Sequence, residues 1–224
     1  MASRSERKQQ TRTALLQGAL AWVEEGNDFA SISIREVAKR AGVVPTSFYR
    51  HFTDLDDLAL GLVDELSIAL RQLMREARHK TRQTDKMIYD SVSIFVDNAL
   101  ANQPMFRFMS QAMCGGSEIV RRAIRNELDY FARELEADIR AMGALSHLSP
   151  STLTMTAQLI INTVAAITVE ILDTARDNKS LQTALKKRTV KQIQLILVGS
   201  AHWRESSSAP TDELREEKMT TKSS

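Results

Sequence analysis

Eight consecutive residues, Pro45-Thr46-Ser47-Phe48-Tyr49-Arg50-His51-Phe52, carry the densest polar chemistry in the chain. Wound as a helix at about 100° per residue, Phe48 and Phe52 fall on one side with Pro45 near them. Thr46, Ser47 and Arg50 fall opposite, flanked by Tyr49 and His51. Each outward side chain can hydrogen-bond a phosphate oxygen or a base edge, and none is acidic. The arginine fork can donate to O6 and N7 of a guanine together. A core helix would not turn Arg, Thr, Ser and His outward, and a merely solvated one would more usually carry Glu, Lys and Gln. Two ordinary helices of a bundle remain the alternative reading of this pattern.

The surrounding residues supply the elements that would hold this segment. Ser33-Ile34-Arg35-Glu36 has capping-box spacing, in which the serine hydroxyl and the glutamate carboxylate satisfy end amides reciprocally. It predicts a helix from Ser33 to about Ala41, and Gly42 suits a tight turn with positive φ. Pro45 then fits a first helical turn, where its missing N–H costs nothing, and a second short helix runs to about Phe52. Helix, glycine turn, helix is the spacing of a helix-turn-helix. Before it, residues 6–25 read as an amphipathic helix through Leu15, Leu16, Ala19, Trp22 and Val23, stopped at Gly26.

Further helices are expected over 54–79, 84–101, from Pro104 through Met113, 117–142, 150–175 and 181–201, nine in all with no strand. Ser149-Pro150 is an N-cap followed by proline at the first helical position. From Ser206 the apolar periodicity ends and a disordered tail is expected. The fold class is all-α, an N-terminal three-helix head (1–53) followed by a larger helical bundle (54–204) and a tail (205–224).

Composition narrows the function. Of 224 residues 43% are hydrophobic and 26% charged, which excludes wholesale disorder, while 8 Gly and 4 Pro are too few for the turns of a β-sandwich. A single cysteine, Cys114, excludes an internal disulfide and is expected to be buried and inert. No apolar run nears the ~20 residues of a membrane span; the longest, Ala157 to Leu172, is interrupted by Gln158, Asn162, Thr163 and Glu170. The basic, polar opening through Arg4, Arg7 and Lys8 is unlike a secretory signal, so a cytoplasmic protein without a membrane partner is expected. The net charge of +2 says little by itself, but basic clusters stand at 4–12, at Arg71, Arg75, Arg78, Lys80 and Arg82, and at 186–191. His51, His79, His147 and His202 have no metal-ligand spacing, and no Gly-rich phosphate loop, G-x-S-x-G or H-E-x-x-H occurs. No enzyme, no metal and no cofactor are expected.

Residues 31–65 resemble the DNA-binding head of the TetR family of bacterial transcription repressors. The likeness runs through Val37-Ala38, Ala41-Gly42-Val43 and Phe48-Tyr49-Arg50-His51-Phe52 in order and spacing. One departure is Leu55, within Thr53-Asp54-Leu55-Asp56-Asp57-Leu58, near where many members carry a lysine that holds a phosphate. Pro45 to Phe52 with Asp54-x-Asp56, then Val63-Asp64-Glu65 and Leu70-Arg71-Gln72-Leu73-Met74-Arg75, is similar to the fatty-acid branch, the FabR and DesT repressors of unsaturated fatty-acid synthesis.

The resemblance implies a homodimer on a palindromic double-stranded operator. By their chemistry Thr46, Ser47 and Arg50 are expected at base edges, with Pro45 counted in the same DNA-binding segment. The family pattern places Arg35 near the bases, and Tyr49, His51, Lys8, Thr11 and Arg12 are expected at phosphates. The resemblance also implies a small hydrophobic ligand in the bundle, a long-chain acyl-CoA in the fatty-acid branch, with saturated and unsaturated chains acting oppositely. Met74, Phe95, Phe106, Phe108, Met109 and Met113 are the candidate apolar wall, although an ordinary core would use the same residues. Arg107, Arg121, Arg122 and Arg125 are candidates for the thioester's phosphates. Ile193 and Trp203 are candidates for the dimer interface, the alternative being that the last two helices pack only internally. A relative sensing a drug or another hydrophobic metabolite would share the head and differ in the pocket.

Overall fold

The structure is a computed structural model and describes residues 3–79, 84–143, 145–174 and 177–204. The expected tail 205–224, and Lys80 and Arg82 of the second basic cluster, lie outside the described residues. Among the described residues every regular element is helical: α1 (Arg4–Glu24), α2 (Ile34–Arg40), α3 (Pro45–Phe48), α4 (Leu55–His79), α5 (Thr84–Ala101), α6 (Gln103–Gly115), α7 (Glu118–Met142), α8 (Pro150–Ala166), α9 (Thr168–Asp173) and α10 (Lys179–His202). A 3₁₀ turn, Phe29–Ser31, joins α1 to α2.

Among the described residues ten helices stand where nine were expected, because the 150–175 helix breaks at Ile167 into α8 and α9. The second helix of the turn motif is also shorter, ending at Phe48; hydrogen bonds from His51 N and Phe52 N to Phe48 O carry the winding onward. An unexpected full capping box opens α1, with Ser3 Oγ accepting from Glu6 N and Glu6 accepting from Ser3 N. At Ser33 only half the box forms: Ser33 Oγ accepts from Glu36 N at 3.2 Å, while the Glu36 carboxylate turns to Arg40. Ser117 and Ser149 cap α7 and α8 through Val120 N and Thr152 N.

Two apolar clusters hold the chain. The first joins Leu15, Leu16, Ala19 and Val23 of α1 to Val37, Phe48 and Phe52, and continues into Leu58 and Leu62 of α4, Phe108 of α6 and Ile124 of α7. The second fills the bundle with Leu66, Val92, Val96, Phe106, Ile139, Ile160, Leu185 and Ile193. Burying side chains of this size contributes about 1.5–3 kcal/mol each. Helix α1 approaches α2 so closely that a Cβ at Gly18 would stand 3.0 Å from the Val37 carbonyl oxygen. At the turn between α2 and α3, Gly42 adopts φ 68°, which glycine tolerates without a Cβ clash.

Candidate nucleic-acid interface and interior cavity

Phe48 anchors the turn motif. It is fully buried, with the rings of Phe52 and Tyr49 each centred 5.7 Å from its own. That anchorage leaves Thr46, Tyr49 and Arg50 exposed, with Ser47 and His51 half-buried and Arg35 exposed on α2. Pro45, expected on the inner side with Phe48, is exposed; three residues' spacing carries it about 60° off the buried line. Among the described residues neither Arg35 nor Arg50 has an acidic partner. The frame behind them is fixed by Arg40, which meets both Glu25 oxygens at 2.7 Å, donates from Nε to Glu36 at 2.8 Å and lies over the Trp22 ring. The Arg40 hydrogen bonds hold the Glu25 carboxyl below its usual pKa.

The imidazole of His51 is held below its usual pKa, first by burial and then by the charges of Lys8, Arg12 and Arg50. The face between α1 and the end of the turn motif is therefore cationic. Lys8 is exposed there, and the Thr11 hydroxyl donates to Arg7 O. Arg12, expected at a phosphate, is engaged otherwise: Nη1 is 3.0 Å from Glu65 Oε1 on α4 and the guanidinium lies 5.2 Å from the Phe52 ring centre.

The head docks onto the bundle through α6. Gln111 accepts from Phe29 N and donates to Asn27 O, both at 3.2 Å, and Phe29 packs edge-on against Phe108.

Inside the bundle, α4, α5, α7, α8 and α10 leave a cavity of about 350 Å³. Its wall includes Met74, Met87, Ile88, Val92, Phe95, Phe131, Leu135, Ile139, Ile160, Ile161, Val164, Ile193 and Leu197. Polar lining is confined to Thr84, Ser91 and His202, and no charged side chain lines it among the described residues. Its volume and apolar lining fall within the roughly 300–1,000 Å³ range of small-molecule pockets.

Of the expected pocket residues, Met74 and Phe95 line this cavity. Phe106 stands behind Phe95, ring centres 5.7 Å apart. Phe108 belongs to the head cluster, Met109 packs between both clusters, and Met113 is exposed. The four arginines lie elsewhere: Arg121 donates to Gly116 O, Arg107 is half-buried, and Arg122 and Arg125 are exposed. The wall residues of α7 and α8 were missed, because the gap between the two helices follows from their packing and not from either sequence alone.

Ile193, expected between two copies, is buried in its own chain and forms part of the cavity wall. Trp203 is exposed, as are Met155 and Leu159 of α8 and Leu195 and Val198 of α10, which pack side by side. The stretch Pro150–Asp173, contrary to expectation, is by length and a mean hydropathy of 1.6 long and apolar enough to cross a membrane, while Leu153, Ala157, Ile160, Ile167 and Ile171 within it are buried in the chain. Cys114, expected buried, is exposed.

Comparison with known proteins follows this architecture. Residues 84–199 match the family described as "Tetracyclin repressor-like, C-terminal domain", and residues 23–62 match "Bacterial regulatory proteins, tetR family". Among solved structures, the chain is similar to the fatty acid degradation regulator FadR from Bacillus halodurans, with TM-score 0.68 and 16% identity over 88% of this chain and 98% of that one. It is similar to FadR from Bacillus subtilis in complex with stearoyl-CoA, with TM-score 0.66 and 14% identity over 84% and 98%. A transcriptional regulator from Rhodococcus sp. Rha1 gives TM-score 0.66 and 19% identity over 88% and 99%. At these identities the likeness is one of fold.

Proposed function

The chain belongs to the TetR family of transcriptional regulators, and on that premise we propose that it represses genes of unsaturated fatty-acid synthesis, with operator affinity set by a long-chain acyl thioester bound in the bundle. Members of the family bind DNA operators through the helix-turn-helix, bind small ligands in the C-terminal domain and act as dimers. They are transcription factors, not enzymes.

The observation that carries the reading is the pairing of an exposed, acid-free flank on the turn motif with an apolar cavity in the bundle. In this reading Arg50, Thr46, Ser47 and Arg35 address base edges of a palindromic operator, while Lys8, Tyr49 and His51 hold phosphates and Thr11 does so by turning its hydroxyl away from Arg7 O. Two heads related by a twofold axis read two half-sites. The α8–α10 face, with Met155, Leu159, Leu195, Val198 and Trp203 exposed, supplies the contact between copies. The acyl chain lies among Phe95, Phe131, Ile160 and Val164, with the nucleotide end outside. The stearoyl-CoA named for the B. subtilis relative supports that ligand class.

One observation favours a second reading, a regulator sensing a drug or other uncharged hydrophobic metabolite. No lysine or arginine lines the cavity among the described residues, so the charged half of an acyl thioester finds no cation in the wall. The readings separate by extracting the ligand from purified protein for mass spectrometry, then titrating saturated and unsaturated acyl thioesters against operator binding. A bound long-chain acyl group, with the two chain types acting oppositely, supports the first reading. A different compound, with no response to either thioester, supports the second and removes the first.

A further inference from the structure

We propose that Glu65 of α4 holds Arg12 back from the DNA backbone, competing with a phosphate for the same guanidinium. The inference rests on the DNA-binding reading above and goes beyond it. Lys8 and Arg12 stand one turn apart on α1 and share a face. Lys8 projects into solvent, whereas Arg12 Nη1 is taken by Glu65 Oε1 at 3.0 Å.

The seat of Arg12 is closely shaped. Its guanidinium rests against the Phe52 ring, at the end of the turn motif. It also lies against α4 at Gly61, where a Cβ would come within 2.9 Å of Nη2. Glu65 follows Gly61 by one turn and closes that seat. The cation therefore sits at the junction of α1, the turn motif and α4, where the fields of Lys8, Arg12 and Arg50 all reach His51.

Both partners are about a third exposed, 32% for Arg12 and 39% for Glu65. An ion pair so well solvated is weak and exchangeable, and a phosphate oxygen can replace a carboxylate oxygen on the same N–H donors. Glu65 and a phosphate therefore compete for the same guanidinium.

The test uses the full-length protein and a duplex that the wild type selects from a random-sequence pool. Binding is measured between 50 and 200 mM salt for wild type, Glu65→Gln, Asp64→Asn and the double variant Glu65→Gln with Arg12→Ala. Asp64 is the control, exposed, equal in charge and without an ion pair among the described residues. Glu65→Gln is expected to tighten binding several-fold at low salt and to steepen the slope of log K against log salt by about 0.9, one added phosphate. Asp64→Asn is expected to leave the slope alone, and Arg12→Ala to cancel the gain. Glu65→Ala, expected to behave as Glu65→Gln, serves if the first variant fails to fold. The inference is overturned if Glu65→Gln and Asp64→Asn behave alike, if the gain survives Arg12→Ala, or if losing Glu65 weakens binding. A wild type that selects no duplex overturns the DNA-binding reading and this inference together; the other outcomes bear on the inference alone.

Discussion

The ring of Phe29, in the head, meets the ring of Phe108, on α6, edge-on with centroids 4.7 Å apart. Beside this contact Gln111 closes two hydrogen bonds to the backbone of residues 27 and 29. Helix α6 thus joins the head to the bundle, and its Phe106 packs on Phe95 of the cavity wall. Gln111→Ala strips Phe29 N of its acceptor and Asn27 O of its donor, so it should cost roughly 1–3 kcal/mol of stability. Urea denaturation of the variant beside the wild type measures this; an unchanged midpoint would mean that the two bonds do not secure the head.

DNA binding should tighten as pH falls. In the free protein, burial first and then the nearby Lys8, Arg12 and Arg50 hold the His51 pKa below its usual value, which favours the neutral ring. A phosphate beside it favours the imidazolium and raises its pKa in the complex. Between the two values the complex binds more protons than the free protein, and affinity rises as pH drops through that window. Above and below the window it is flat. In His51→Gln this part of the pH dependence should disappear from titrations run between pH 5.5 and 8. A variant profile superimposable on that of the wild type would remove His51 from the phosphate contacts.

Filling the cavity should separate ligand response from DNA binding. Val164→Phe adds bulk to the wall that Val164 shares with Phe95 and Phe131, at a packing cost of about 1–3 kcal/mol. Operator affinity should persist in gel-shift assays while added acyl thioester loses its effect. A full response in the variant would place the ligand elsewhere.

How much of this could be read from the amino acids depended on whether a signal was local. Ser149-Pro150 capped α8, and Phe48 with Phe52 formed the buried side of the turn motif, because caps and four-residue spacings are settled within one turn. Partner choice at longer range was not legible. Phe106 and Phe108 are about 200° apart on α6, so one faces the bundle and the other the head, and reading them as a single wall failed. Helix α10 is apolar on more than one side, so its sequence could not rank Ile193, buried, against Leu195, exposed. The cavity is a gap left by five helices spread between Leu55 and His202, and no single stripe announces it. Arg12 resembled a free cation because its partner Glu65 lies 53 residues away.

Association should fail when α10 is altered on its outer side. Leu195, 73% exposed in the single chain, becomes the test residue in place of Ile193. Leu195→Arg should give monomers in sedimentation velocity with the helical signal intact, and should weaken operator binding. Ile193→Ala should instead cost about 2–5 kcal/mol of stability through the cavity it opens. A dimer that survives Leu195→Arg would move the interface off this face.

The most direct measurement is a sequence-preference profile of wild type and Arg50→Ala on a pool of random duplexes, with Tyr49→Phe alongside. The wild type should enrich a palindrome. Arg50→Ala should lose preference at one base pair in each half-site, about 1–3 kcal/mol, while Tyr49→Phe should weaken all sequences alike. An Arg50→Ala profile identical to that of the wild type would contradict the reading of the turn motif as the face that reads DNA.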